Sequence, residues 1–491
     1  MKTKIGKKAF ALIAVLAAAA TTISLTSCGS ETSSSAKTAV TSAVSAATND
    51  ETETSAAAAA SKPLAESDIP IKETIENTAD GEHAITADGE TKIIGNTLVT
   101  KTGEADGDEA DFYGENAAIF ATNQGTLTLS QMVIKTDGTH ANAVFSYGEG
   151  TTVHITDSYI ETSGNCSGGL MTTGGGTMNA ENLTIKTSGN SSTAIRSDRG
   201  GGTVTVTGGD YSTSGKGSPV IYSTADITVN NATMTSTASQ GVVVEGKNSV
   251  TLNNVDLTAD NNTKNSDKSN YYQAVMIYQS MSGDAAEGLS SFTMNGGKLT
   301  NQNGDVFFVN NTATEITLSG ASITNNGDGV FLRAAAAGWG NEGSNGGQVT
   351  LNAANQTIDG DMIVDDISHL NLYLKSNSSY TGAINSDGQA GEVYVEIEDG
   401  SVWTLTGDSY ITSLTCGTGA IDLNGHTLYI NGEAYTAGTA SSGTAIEVTV
   451  SSGSSGGMGT PPGGMGTPPD GKGNPPEGNP PAKPGEQNQA N

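Results

Sequence analysis

Short apolar runs recur about every 25 residues through the middle of this chain, and that period restricts the available folds more than any other feature. The first run of each repeat gives a ladder of Ile119, Val144, Leu170, Ile195, Ile221, Val243, Met276, Phe307 and Phe331. Its spacings are 25, 26, 25, 26, 22, 33, 31 and 24. A second run follows each first one: Leu127/Leu129, Val153/Ile155, Met178/Ala180, Val204/Val206, Ile227/Val229, Val250/Leu252, Phe292/Met294, Ile316/Leu318 and Val349/Leu351. These alternate with Thr and other polar residues, the period of two that marks a strand with one buried face. A third run supplies Ile134, Ile160, Ile185, Tyr211, Met234, Leu257, Leu299, Ile323 and Ile358.

One such repeat cannot bury its inward side chains, but stacked repeats can, with parallel strands ~4.8 Å apart. The spacing therefore predicts an all-β parallel solenoid of three-strand coils over 70–360. A β-sandwich of short strands is the competing arrangement, and the fixed order of three strands per repeat argues against it. Gly138, Gly164, Gly189 and Gly215 follow the third run at a constant offset and read as left-handed turn residues. The long spacings predict loops at Asp260–Tyr272 and Gln279–Ser290, with a third at Ala334–Gly347. Residues 361–450 read as less regular β coils closing the solenoid.

Composition agrees: 64 Gly and only 15% charged residues disfavour helices. With 52 acidic against 22 basic residues, the formal charge of −30 repels phosphate backbones and excludes nucleic-acid binding. Residues 28–66 (Ser, Thr, Ala and Glu) and the Gly/Pro/Met-rich 451–491 bury too little apolar surface to order, and read as a disordered tether and tail. Cys166 and Cys416 lie 250 residues apart in the repeat, so no disulfide is expected between them. No CxxC pattern occurs and no metal site is predicted. No cofactor is expected, calcium being the one ion that the Asp/Asn-rich turns or an anionic ligand could bring.

At the N-terminus, Lys2, Lys4, Lys7 and Lys8 precede an apolar stretch, Ala9–Leu25, too short and Ala-rich for a comfortable span. Leu25-Thr26-Ser27-Cys28 then resembles the bacterial lipobox. The resemblance implies a signal peptide over 1–27, lipidation of Cys28, and a protein held at the outer face of a cell membrane by its lipid alone. Removing those four lysines leaves 18 basic against 52 acidic residues, a balance of −34.

The repeats of about 115–360 are similar to right-handed, pectin-lyase-like parallel β-helices. Thr193-Ala-Ile-Arg-Ser-Asp-Arg-Gly-Gly-Gly202 and Ala274-Val-Met-Ile-Tyr-Gln-Ser-Met-Ser-Gly283 resemble stretches of adhesin-like surface proteins of anaerobic Gram-positive bacteria. The tail resembles that of clostridial surface lipoproteins with carbohydrate-binding β-helices. These likenesses imply a right-handed coil and an adhesin-like, non-enzymatic function, with an extracellular polysaccharide or a host or neighbouring cell surface as partner. The alternative they imply is a polysaccharide lyase or hydrolase.

Residues for such chemistry are sparse. Polygalacturonases resemble one another in clustered Asp with a nearby Arg-x-Lys; here Asp365-Asp366 is the one adjacent pair in the β region and no Arg-x-Lys exists. The three arginines are Arg196, Arg199 and Arg333, and Arg196-Ser-Asp198-Arg199 is the sharpest cluster, read as an ion pair, an anion site or a lyase base. His83, His140, His154, His369 and His426 sit among turn residues and read as surface. No catalytic residue is assigned.

Strict alternation would turn outward the residue after each first-run position: Phe120, Phe145, Met171, Arg196, Tyr222, Val244, Ile277, Phe308 and Leu332. Such a stripe is either covered by bends and loops or left open as a binding face. Candidate ligand contacts are Arg196, Asp198, Arg199 and Arg333, with Tyr147, Tyr222, Tyr271, Tyr272, Tyr278 and Trp339 as platforms for sugar rings. A second outward row is Thr128, His154, Asn179, Thr205, Thr228, Thr251, Thr293, Thr317 and Thr350.

Overall fold

The computed structural model describes residues 62–450 apart from 108, 265, 389 and 390. The leader, Cys28, most of the 28–66 tether and the 451–491 tail lie outside the described residues. Within them, each strand up to Thr357–Asp359, save Ser322–Asn325 at the end of its sheet, pairs with the strand three places on. Beyond it the spacing is less regular, His369–Lys375 pairing with Glu392–Ile397, Ser379–Thr381 with Val402–Thr404, and Leu428–Ile430 antiparallel with Glu433–Ala434. The first face is an 11-stranded sheet from Ile85–Asp88 to Asp361–Val364, the second a 13-stranded sheet from Thr91–Gly95 to Ser413–Cys416, and the third a 10-stranded sheet from Glu73–Asn77 to Ser322–Asn325. Strands within these sheets run parallel, as three runs per coil require. The protein is thus a stack of three-strand parallel β coils. Pairing continues past residue 360, where a four-stranded parallel sheet of Thr357–Asp359, Ser379–Thr381, Val402–Thr404 and Ile421–Asp422 succeeds the third face.

The register corrects the ladder at three positions. Ile119, Val144, Leu170, Ile195 and Ile221 are aligned as expected, but Ile221 pairs with Val242, Val242 with Val275, and Phe307 with Leu332. Val242-Val243-Val244 is apolar throughout, so alternation cannot show which residue points inward. Beyond Leu332 the pairing slips between Val330 and Leu332, a bulge that turns both Phe331 and Leu332 into the core. On the second face Thr317 pairs with Asn352, two positions beyond Thr350. The ladder also begins one coil earlier, at Ile85, which pairs with Ile119 across an inserted segment, 102–116, that carries the helix Glu109–Tyr113.

The interior is filled by these rows, and its aromatics pack on one another: Phe307 lies 5.5 Å from Phe292 and 5.5 Å from Phe331 between ring centres. Because Phe307 is fully buried between them, Phe307→Ala is expected to cost about 3–5 kcal/mol in chemical unfolding.

The corner glycines are placed as the period predicts, but for a different reason. Gly138, Gly164, Gly189 and Gly215 do not have positive φ; they sit where one coil touches the next. A Cβ on Gly164 would lie 1.9 Å from the Gly138 carbonyl oxygen, on Gly189 1.8 Å from that of Gly164, and on Gly215 1.7 Å from that of Gly189. The left-handed position falls two residues later, on His140 (φ 58°), Cys166 (54°), Ser191 (54°) and Gly217 (65°). Ser167, Ser192 and Ser218 close the corner, each donating its hydroxyl to the preceding coil's glycine carbonyl at 2.7, 2.9 and 2.9 Å.

The outward stripe of the first face is Phe120, Phe145, Met171, Arg196, Tyr222, Val243, Met276, Phe308 and Arg333. Its apolar members are buried, so it is not an open flat face. Inserted segments cover it because bare apolar side chains of this number would otherwise meet water. The 102–116 insert covers one end, and a Cβ on its Gly114 would come within 2.9 Å of both Phe120 and Phe145. Loops 260–272 and 334–346 pack over Val243, Met276 and Phe308 through Tyr271, Ala337 and Trp339.

Candidate functional site

Between the two covers the stripe changes from apolar to polar, at Arg196 and Tyr222. Tyr222, on the strand Ile221–Ser223, donates its hydroxyl to the Glu245 carboxylate and lies 3.0 Å from the Tyr278 hydroxyl. Tyr278 Oη also meets Glu245 Oε2 at 3.1 Å. Glu245 ends the strand Val242–Glu245 and is buried, which pushes its carboxyl above the usual range while the hydroxyls of Ser280, Tyr222 and Tyr278 pull against that. Burial likewise holds both tyrosine hydroxyls well above their ordinary values, so they remain donors at neutral pH.

Above this trio opens a groove of about 270 Å³, lined by Tyr222, Tyr271, Tyr272, Tyr278 and Trp339. Five of the six aromatic candidates from the sequence therefore meet in one place; Tyr147 does not, packing instead against Phe120 and Tyr113 at the end covered by the 102–116 insert. Trp339 packs edge-on to Tyr278 at 5.1 Å, and Tyr271 packs on Phe308 at 5.6 Å. The loop bearing Trp339 is pinned by Asn345, whose Nδ2 donates to the carbonyls of Ala337 and Trp339 at 2.6 and 2.8 Å. It touches the facing loop where Gly338 N donates to Lys268 O at 2.6 Å. Two lysines stand on the rim, Lys264 Nζ 5.2 Å from the Tyr272 ring centre and Lys268 Nζ 5.9 Å from that of Trp339.

Sequence reasoning missed the groove's polar groups. Asn261 and Gln273 also line it, and the side-chain oxygen of each is buried without a hydrogen-bond partner. A buried acceptor left unpaired costs about 1–3 kcal/mol, so either amide would gain a hydrogen bond by turning its oxygen toward a hydroxyl donor in the groove. Glu245 carried one signal, an acid closing an otherwise all-valine strand.

The arginines stand apart from the groove floor, each neutralised. Arg333 is forked onto Asp305 at 2.7 and 3.1 Å and its guanidinium stacks 4.0 Å over Tyr271, so it buttresses the groove from behind. Arg196 is clamped between Asp111 at 2.9 Å and Asp198 at 2.7 Å. These acids hold its guanidinium even further above the ordinary value despite burial, which removes it as a proton acceptor. Arg199 pairs with Asp284 at 2.5 Å and stacks on Phe112 at 3.7 Å; it is the most exposed of the three. His140 is not a surface residue: it is buried, with Nδ1 2.9 Å from Asp111 Oδ1. His83 is half-buried against Phe120, where burial lowers its pKa.

Together these features define a parallel β-solenoid whose first face is roofed by inserted loops, with an aromatic groove left between them. No known family model, curated protein or solved structure matches the chain.

Proposed function

We propose that the protein is a non-enzymatic, lipid-anchored bacterial surface protein that binds a neutral glycan in the groove between loops 260–272 and 334–346. The observation that carries this reading is the convergence of Tyr222, Tyr271, Tyr272, Tyr278 and Trp339 on one groove that the amide side chains of Asn261 and Gln273 also line. Sugar rings offer apolar C–H faces to aromatic rings and hydroxyls to such acceptors. The net charge of −30 favours a neutral ligand over an anionic one, unless calcium bridges the two. The lipobox-like Leu25–Cys28 supports attachment at the cell surface, from which the tether would carry the coils outward.

A glycan array probed with the full chain in detergent tests the reading. Binding to a restricted set of neutral oligosaccharides is expected, with Trp339→Ala weakening it about 10-fold, the loss of roughly 1.4 kcal/mol of ring stacking. No glycan bound, or binding indifferent to Trp339→Ala, would contradict it. Turnover of polygalacturonate with calcium, absent in Arg199→Ala, would replace binding by lyase chemistry.

A further inference from the structure

The segment that roofs the other end of the stripe brings together three side chains that the groove does not use. Asp111 lies on the short helix Glu109–Tyr113, His140 and Cys166 on successive coils, and one ligand atom from each lies within 4.8 Å of the other two. We propose that Asp111, His140 and Cys166 form a binding site for a borderline-soft divalent cation such as Zn²⁺, completed by water. The site would staple the 102–116 insert to the two coils beneath it.

Four observations carry this. First, His140 and Cys166 occupy the same left-handed corner position, the amide of His140 donating to Asn165 O and that of Cys166 to Asn190 O. The next members of that column are Ser191 and Gly217, so the corner itself demands neither imidazole nor thiol. Second, the donor set is mixed: carboxylate, imidazole and thiolate together suit zinc or cobalt rather than calcium or magnesium, which take oxygen alone. Third, Asp111 is already oriented, because Arg196 Nη1 holds its Oδ2 at 2.9 Å while its Oδ1 faces His140. This is the outer-shell support that metal-binding carboxylates ordinarily have. Fourth, the charges balance. Asp111 and a Cys166 thiolate would neutralise the cation, and Asp198, 2.7 Å from Arg196 Nη2, neutralises the guanidinium. Binding would release the thiol proton to solvent and change no oxidation state. The helix is held independently of any metal, since Thr173 Oγ1 donates to Phe112 O at 2.7 Å and Arg199 stacks on the Phe112 ring.

Titration of the reduced full chain with Co²⁺ reads the site directly. One equivalent should produce thiolate-to-cobalt charge-transfer absorption and d–d bands of tetrahedral strength, both removed by excess Zn²⁺. Cys166→Ser and His140→Asn should abolish the charge-transfer band or shift it to much higher cobalt concentration, with unchanged far-ultraviolet circular dichroism. Cys416→Ser should leave it intact. Zn²⁺ should also slow alkylation of Cys166 and raise the Tm of the parent but not of Cys166→Ser. Absence of a thiolate band at one equivalent would overturn the proposal, as would a band that survives in Cys166→Ser.

Discussion

Gly189→Ala is expected to cost about 3 kcal/mol or more, enough to remove a large part of an ordinary domain's stability. The added methyl would sit 1.8 Å from the Gly164 carbonyl oxygen and 2.5 Å from its carbon, both backbone atoms of the coil below. No rotamer relieves such a clash; the two coils must separate, and with them the Ser192 hydroxyl bond to Gly164 O at 2.9 Å. Gly283 supplies the control. It has φ of 81° with open space where a Cβ would go, so Gly283→Asn, which tolerates that backbone, should change stability by less than about 0.5 kcal/mol. Urea unfolding of both variants separates coil contact from the general cost of losing a glycine.

The second large effect falls on the Asp305–Arg333 pair. Asp305 is fully buried, and burial pushes its carboxyl up to about 6 while Arg333 pulls it down. Arg333→Met removes the partner and the fork, leaving a buried charge unpaired; the expected loss at pH 7 is about 3–5 kcal/mol. The pH dependence follows from the direction of the shift. A carboxyl whose folded pKa lies above its unfolded value near 3.8 binds more protons in the folded state, so stability rises as pH falls through about 6 toward 4. In Arg333→Met the carboxyl loses its counter-charge and rises further, so the penalty should shrink markedly by pH 5. Asp305→Asn combined with Arg333→Met should recover much of the loss at pH 7. A penalty that is flat between pH 5 and 8 would place the damage in lost packing over Tyr271 instead.

The coil was legible because its period is written in side chains that line the core: Ile134 to Leu299 on the third face are buried, Ile323 is partly so, and all align as the spacing predicts. Register failed where that code is degenerate. Val242-Val243-Val244 and Val275-Met276-Ile277 offer an apolar residue at every position, and the bulge at Phe331 inserts a residue without a polar marker. The glycine column was visible, but its cause was not, since contact between coils is a property of the stack and not of one turn. The site was legible residue by residue and not as a place. Tyr222 and Trp339 are more than one hundred positions apart, and only the folding of two loops over Met276 and Phe308 makes them neighbours. Asp111 left no signal, because its role depends on an insert that the repeat treats as a gap.

Nitroxide pairs on the outward row of the second face measure the stack itself. In a chain whose cysteines 28, 166 and 416 are replaced by Ser, labels at Thr205 and Thr317 are four pairings apart, and labels at Thr128 and Thr317 are seven. At ~4.8 Å per parallel pairing, dipolar spectroscopy should return about 19 Å and about 34 Å. Distances that rise with the number of pairings in that ratio are what stacked coils require. Two similar distances, or a shorter one for Thr128 and Thr317, would mean that the strands fold back on one another and that the roofed face does not exist.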